Sequence, residues 1–254
     1  MYEQTCYRKS YLKQVIARVD FASPLFQMEK GVPNKLLNTI VKSFPIIEPS
    51  EVLAHEVSIN EDSVQSKQTM SKQWNYFGKD RGRQLSLSAA NIFISYTNYK
   101  SFEETQEQFG AVIEALSKVF PDTKASRFGL RYINQIDLPL SDPTRWDEFI
   151  NPQLLGSRDF FDENDSLTRL INIAELKYDD IGVRFQFGMP NPDYPAPVKR
   201  PMYILDIDAS ITQAHDLTEV SAYMNEAHLR IQTLFERSVT EALRGAMDVR
   251  SVQQ

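Results

Sequence analysis

The stretch Arg127-Phe128-Gly129-Leu130-Arg131-Tyr132-Ile133-Asn134-Gln135-Ile136-Asp137-Leu138 alternates apolar and polar side chains. Successive side chains of a β-strand point to opposite faces of its sheet, so this period of two predicts one long strand. Its apolar face is expected to line a core. The opposite face carries Arg127, Arg131 and Gln135, which we therefore expect to project together.

The residues before this strand predict a meander of shorter strands that leads into one helix. Alternating or apolar runs bounded by turn residues place strands at 15–21, 52–59, 68–77, 84–87 and 92–96. Ser101 followed by Glu104 forms a capping-box pattern ahead of an apolar stripe, which predicts a helix over residues 101–119. A shorter helix is expected between Pro33 and Pro45.

The residues after it repeat the order of strands followed by a helix. Strands are predicted at 170–178, 183–187 and 202–209, with a proline-rich loop at 190–201. Asp216 and Glu219 suit the first turn of a long amphipathic helix predicted over residues 217–246. Its inner stripe includes Met224, Ala227 and Ile231, whereas the side chains predicted to face water are Glu226, Arg230, Glu236 and Arg237.

These elements predict an α+β fold. Short connections favour antiparallel sheets, and each round of strands ends in a helix that could lie across its sheet. We therefore expect two tandem sheet-plus-helix halves, similar to a helix-grip arrangement, that form one compact unit. The predicted boundaries are 1–139 for the first half, 140–166 for a connector and 167–254 for the second half.

Composition and charge indicate an ordinary globular protein. The chain has 254 residues, 42% of them hydrophobic, and a formal net charge of -6, which argues against a bulk electrostatic attraction to nucleic acid. Cys6 is the single cysteine, so neither an internal disulfide nor a thiolate zinc cluster can form. We see no signal peptide and no apolar run long enough for a membrane span, and we expect a cytoplasmic protein that does not enter a membrane.

Several stretches give the chain a family resemblance that extends over nearly its whole length. It is most specific in Gly129-Leu130-Arg131-Tyr132-Ile133-Asn134 and includes Tyr96–Phe102, Leu205–Asp208 and Phe235–Thr240. In these stretches the chain resembles a family of sporadically distributed, uncharacterised bacterial and archaeal proteins. The resemblance carries over no catalytic residues, because that family has no settled activity. Its patchy distribution implies an accessory role, for example in a defence system.

The polar face of the long strand is the first candidate site. Arg127, Arg131 and Gln135, together with Arg184 on a later strand, could bind a protein partner or clamp a small anionic ligand. The alternative is an internal network of ion pairs, for which the available carboxylates are Asp20, Asp137, Asp206 and Asp208.

Two further clusters suggest nucleic-acid chemistry as an alternative. Three carboxylates on predicted strands, Asp20, Asp206 and Asp208, could hold Mg²⁺ for hydrolysis, or they could pair with arginines. A predicted hairpin interleaves basic and aromatic side chains that could follow a nucleic-acid strand, unless its aromatic residues face the core. The residues of this hairpin are Lys72, Trp74, Lys79, Arg81 and Arg83.

No motif in the chain points to a particular reaction. The phosphate-loop, dinucleotide-binding and nucleophile-elbow patterns are missing, and the three histidines are not spaced as a metal-ligand pair. We therefore predict a non-enzymatic binding or regulatory protein without a cofactor, which acts through a protein partner or as a homo-oligomer. The alternatives are a nucleic-acid-binding protein or Mg²⁺-dependent nuclease, and a protein that binds a small anionic ligand.

Overall fold

A computed structural model describes residues 6–60, 63–161 and 166–250, and it confirms the predicted α+β class. The strands in chain order are Cys6–Tyr7 (β1), Leu12–Phe21 (β2), Ile46–Asn60 (β3), Ser63–Phe77 (β4), Arg83–Leu87 (β5), Asn91–Tyr96 (β6), Lys124–Asp137 (β7), Leu170–Tyr178 (β8), Ile181–Met189 (β9), Met202–Ile211 (β10), His215–Asp216 (β11) and Val249–Arg250 (β12). The helices are Asn34–Ser43 (α1), Phe102–Val119 (α2), Gly156–Asp159 (α3), Val220–Ser238 (α4) and Glu241–Met247 (α5).

The chain packs as two units that are interleaved along the sequence. The terminal unit contains Met1–Val15, Gly129–Ile211 and Met224–Gln254, and the central unit contains Ile16–Phe128 and Thr212–Tyr223. This division differs from the expected succession of halves at 1–139 and 167–254. The reason is that the long strands β2 and β7 each contribute residues to both units. Residues 162–165 of the predicted connector lie outside the described part of the chain.

The central unit is an antiparallel sheet with two helices. Its strands follow the order β3-β4-β5-β6-β2-β7, and the short β11 pairs with β7. The helix α2 begins where predicted, because the Ser101 hydroxyl accepts a hydrogen bond of 3.2 Å from the Glu104 N–H. It packs against α1, and both helices bury apolar side chains that include Leu36, Ile40 and Phe109. This burial explains the apolar stripes in the sequence.

Tyr76 of β4 should make the stability of the chain sensitive to alkaline pH. The side chain is 1% exposed, and this burial raises the pKa of its phenol from 10.0 to about 12. A raised pKa stabilises the folded protein below the ordinary value and loses that contribution as the pH rises towards the folded value. We expect Tyr76→Phe to flatten the loss of unfolding free energy above about pH 10, as measured by urea denaturation across pH 7–11. Tyr194→Phe, at a tyrosine that is 53% exposed, should leave the loss unchanged.

The terminal unit places a sheet against the long helix near the C-terminus. Its strands follow the order β7-β10-β9-β8, all antiparallel where their registers are defined, and β1 pairs with β12. The helix α4 lies against β7, where the Tyr132 hydroxyl is 3.0 Å from His228 Nδ1, and against β8, where the Arg230 guanidinium stacks on the ring of Tyr178. The buried stripe of α4 includes Met224 and Ala227, as predicted.

The predicted helix over residues 217–246 is confirmed as a long C-terminal helix but ends earlier than expected. A 3-10 turn with the Asp216–Glu219 capping box leads into α4, which stops at Ser238. Val239 forms a bridge with Ile150, and Thr240 starts α5 by accepting a hydrogen bond from the Leu243 N–H. This second cap interrupts the helix, so the prediction of one continuous helix was wrong.

Candidate functional site

The arginine face of β7 is largely engaged by carboxylates. In the terminal unit, Arg131 donates from Nε to Asp206 Oδ1 at 2.7 Å and from Nη2 to Oδ2 at 2.5 Å. This is a bidentate ion pair between neighbouring strands, since β7 lies next to β10. Asp206 is 6% exposed although it lies on the polar face of its strand. The planar guanidinium of Arg131 therefore binds a carboxylate of its own sheet.

The electrostatics of this pair favour the charged form of Arg131. The hydrogen bond with Asp206 raises the pKa of Arg131, although partial burial alone would lower it. The negative charge of Asp208, two residues further along β10, raises it as well. A guanidinium held in this way is a structural element of the sheet, which agrees with the ion-pair alternative for this face.

Two other members of the predicted arginine site, Gln135 and Arg184, lie in the terminal unit with Arg131 but have separate neighbours. Gln135 donates to Asp137 at 2.8 Å, and Arg184 donates to Gln186 at 3.3 Å. Arg184 is directly opposite Asp208 in the register of β9 and β10. Arg127 belongs to the central unit, so the structure divides the predicted set between two units.

The three aspartates of the magnesium alternative are also divided. Asp20 belongs to the central unit, where it accepts hydrogen bonds of 2.8 and 2.6 Å from Arg18 and lies 3.9 Å from Arg127. Asp206 and Asp208 belong to the terminal unit. Within the described ranges, no group of three or more His, Cys, Asp or Glu side chains is placed to hold a metal ion. Magnesium therefore remains a prediction from the sequence alone.

The basic hairpin is the β4–β5 segment of the central unit, and part of its charge is neutralised. Arg81 pairs with Glu48 at 2.5 Å, and Arg83 pairs with Glu104 at 3.0 Å. Trp74 lies beside the 3-10 turn of residues 26–29, with its indole N–H donating to the carbonyl of Met28 at 2.8 Å. Tyr76 is buried.

Two positive side chains of this hairpin, Lys72 and Lys79, extend into solvent. A strand of nucleic acid would need aromatic faces beside such charges for stacking. The ring of Trp74 is instead half-buried, and its N–H donates a hydrogen bond to the backbone carbonyl of Met28. This agrees with the alternative that the aromatic residues of the hairpin face the core.

Sequence reasoning missed a buried polar cluster at the C-terminal end of α4. Glu236 was predicted to face water, but it is 3% exposed. Its carboxylate accepts from the Tyr7 hydroxyl at 2.8 Å and from Arg244 Nε at 3.0 Å. Burial, and then the bond to Glu236, raises the pKa of Tyr7. Burial alone would lower the pKa of Arg244, but Glu236 raises it overall. The cluster joins β1, α4 and α5.

An exposed aromatic pair was also missed. Phe160 and Phe161 follow α3 and are 81% and 49% exposed, with their rings 5.3 Å apart in an edge-to-face arrangement. Large aromatic side chains are usually buried, so two adjacent exposed rings make this segment a candidate binding site. The signal in the sequence was the position of the pair beside acidic residues in a region predicted as a connector.

Comparisons with known proteins leave the family open. No family model matches the chain, and no curated protein matches it either. The resemblance to a sporadically distributed family therefore stays a prediction. Among the described helices, none is both long and apolar enough to cross a membrane.

Proposed function

We propose that this is a non-enzymatic binding protein that acts through a protein partner, and that Phe160 and Phe161 anchor that partner. The observation that carries the proposal is the exposure of the two rings, 81% and 49%. Aromatic side chains are enriched at the centres of protein interfaces, where they fill pockets on the other protein. Burying a phenylalanine side chain contributes about 1.5–3 kcal/mol, so this pair could supply much of the affinity of a moderate complex.

The acidic residues that follow the pair in the sequence indicate which partner surface would be complementary. In the sequence, Phe161 is followed by the acidic residues Asp162, Glu163 and Asp165. A complementary surface would offer an apolar cleft bordered by lysine or arginine side chains, and association would slow as salt is added. The alternative sites gain less support, since Arg131, Arg81 and Arg83 already pair with carboxylates.

Co-purification with quantitative mass spectrometry tests the proposal. A tagged protein expressed in its native host should retain a specific protein, and Phe160→Ala combined with Phe161→Ala should reduce that protein at least about tenfold. Phe26→Ala is the matched control, because Phe26 is 73% exposed but lies in the central unit. It should retain the partner at the level of the unsubstituted protein.

Two results would contradict the proposal. Equal recovery with the double variant and with Phe26→Ala would show that the aromatic pair does not anchor the partner. The absence of any protein enriched over an untagged sample, under mild cross-linking, would count against a protein partner as such. Circular dichroism of each variant separates a loss of binding from a loss of folding.

A further inference from the structure

The strand β8 leaves one edge of its sheet open. It is the last strand in the order β7-β10-β9-β8, and among the described strands it pairs with β9 alone. Its outer N–H and C=O groups therefore have no strand partner within that part of the chain. Such an edge is a template on which another strand can form hydrogen bonds.

The composition of β8 is unusual for an edge left in water. Natural edge strands carry charges, prolines or bulges that discourage pairing, or they are short. β8 is nine residues long, contains no proline and has two charged residues, Glu175 and Lys177. Ile173 is 53% exposed. The apolar side chains of the strand are Leu170, Ile171, Ile173, Ala174, Leu176 and Tyr178.

The two faces of β8 have different environments. Tyr178 faces α4, because the guanidinium of Arg230 lies 4.8 Å from the centre of its ring. By the alternation of side chains, Leu176 shares that face. Ile173, Glu175 and Lys177 share the opposite face, where all three are exposed. A strand added to this edge would meet both an apolar row and a charged row.

The opposite charges of Glu175 and Lys177 favour a second copy of the same strand as the partner. In a two-fold antiparallel pair, residues that are equally far from the axis on the two strands lie opposite each other. With Leu176 on the axis, Glu175 faces Lys177 of the second copy and Lys177 faces Glu175, which gives two opposite-charge pairs from one strand sequence. Cross-strand pairs of this kind stabilise an antiparallel ladder.

Neighbouring registers lack this complementarity. An axis at Glu175 or at Lys177 places identical charges directly opposite each other, which is destabilising. An axis at Ala174 sets Glu175 against Ile173, and an axis at Ile173 sets Glu175 against Ile171. Charge pattern alone therefore singles out one register.

We propose that two copies of this chain associate through β8, in antiparallel register with Leu176 on the two-fold axis. The sheet of one terminal unit continues into that of the second copy over residues 174–178, the part of β8 that faces its own counterpart in this register. This interface uses different residues from the Phe160–Phe161 pair, so it does not depend on the partner proposed above.

Sedimentation velocity with two charge-reversal variants tests the proposal. The unsubstituted chain should form a dimer with a Kd below about 100 µM. Lys177→Glu should raise this Kd about tenfold, because Glu175 then faces a glutamate. Glu175→Lys should weaken the dimer as well, but Glu175 lies opposite Arg184 within its own sheet, so circular dichroism must show that this variant remains folded. Lys177 is opposite Gly182 within its own sheet, so its reversal creates no new repulsion inside one copy.

Mixing the two variants is the decisive experiment. The chain with Glu175→Lys carries two positive charges on β8 and the chain with Lys177→Glu carries two negative charges, so an equimolar mixture should recover the dimer as a heterodimer. A monomeric unsubstituted chain across the whole concentration range would overturn the proposal. An unchanged Kd of the dimer in both single variants would overturn the register and with it the interface. A mixture that dimerises as weakly as either variant alone would do the same.

Discussion

Glu236→Ala is expected to lower the free energy of unfolding by about 3–5 kcal/mol, the usual cost of leaving one member of a buried ion pair without its partner. The Glu236 side chain is 4% exposed and that of Arg244 is 20% exposed, so neither charge can turn to water without rearrangement. The substitution also removes the acceptor of the Tyr7 hydroxyl. Since β1, α4 and α5 meet at this carboxylate, we expect the pairing of β1 with β12 to weaken first.

Urea denaturation followed by circular dichroism measures this loss, and Glu241→Ala is the matched control. Glu241 binds the same guanidinium at 2.6 Å, but its side chain is 91% exposed. Exposed ion pairs contribute at most about 1 kcal/mol, so this variant should stay close to the unsubstituted protein. Similar losses in the two variants would show that the burial of Glu236 does not matter energetically.

The difference between these two glutamates shows what a helical pattern can and cannot predict. Glu236 and Arg237 both follow the apolar stripe of α4, and the helical period predicts that both face water. Arg237 is exposed, as predicted, whereas Glu236 is buried. The cause is nonlocal, since Tyr7 is 229 positions away and α5 folds back to bring Arg244 beside it. Periodicity within one helix carries no information about such partners.

The same limit explains the outcome at β7. Alternation was enough to predict the strand and to place Arg131 on its polar face, because period-two patterning is a local property. The partner of Arg131 was left open among several aspartates. The order β7-β10 decides in favour of Asp206, and that order depends on which strands pair across long loops. The interleaving of the two units was unpredictable for the same reason.

One local signal that the helix prediction did not use was present in the sequence. Thr240 is an N-cap residue type three positions before Leu243, and it starts α5 where a single continuous helix was expected. The apolar period continues across this point, so periodicity and capping chemistry gave opposite indications. In contrast, Ser101 and its stripe agreed, and the start of α2 was predicted to within one residue.

Gly188→Ala is expected to destabilise the edge of the terminal sheet by about 3 kcal/mol or more, through two effects that add. Gly188 of β9 has φ of +134°, a conformation that a residue with a side chain adopts only with strain of about 1–3 kcal/mol. In addition, a Cβ atom at this position would lie 2.1 Å from the carbonyl oxygen of Leu170, far inside van der Waals contact. That oxygen belongs to the backbone of β8, so β8 itself must move.

Gly182→Ala is the control on the same strand, because its Cβ would meet only the carbonyl oxygen of Ser210 at an ordinary 3.8 Å. Urea denaturation should show a large loss for Gly188→Ala and a small one for Gly182→Ala. Equal unfolding free energies for the two variants would contradict the close approach of Leu170 to Gly188.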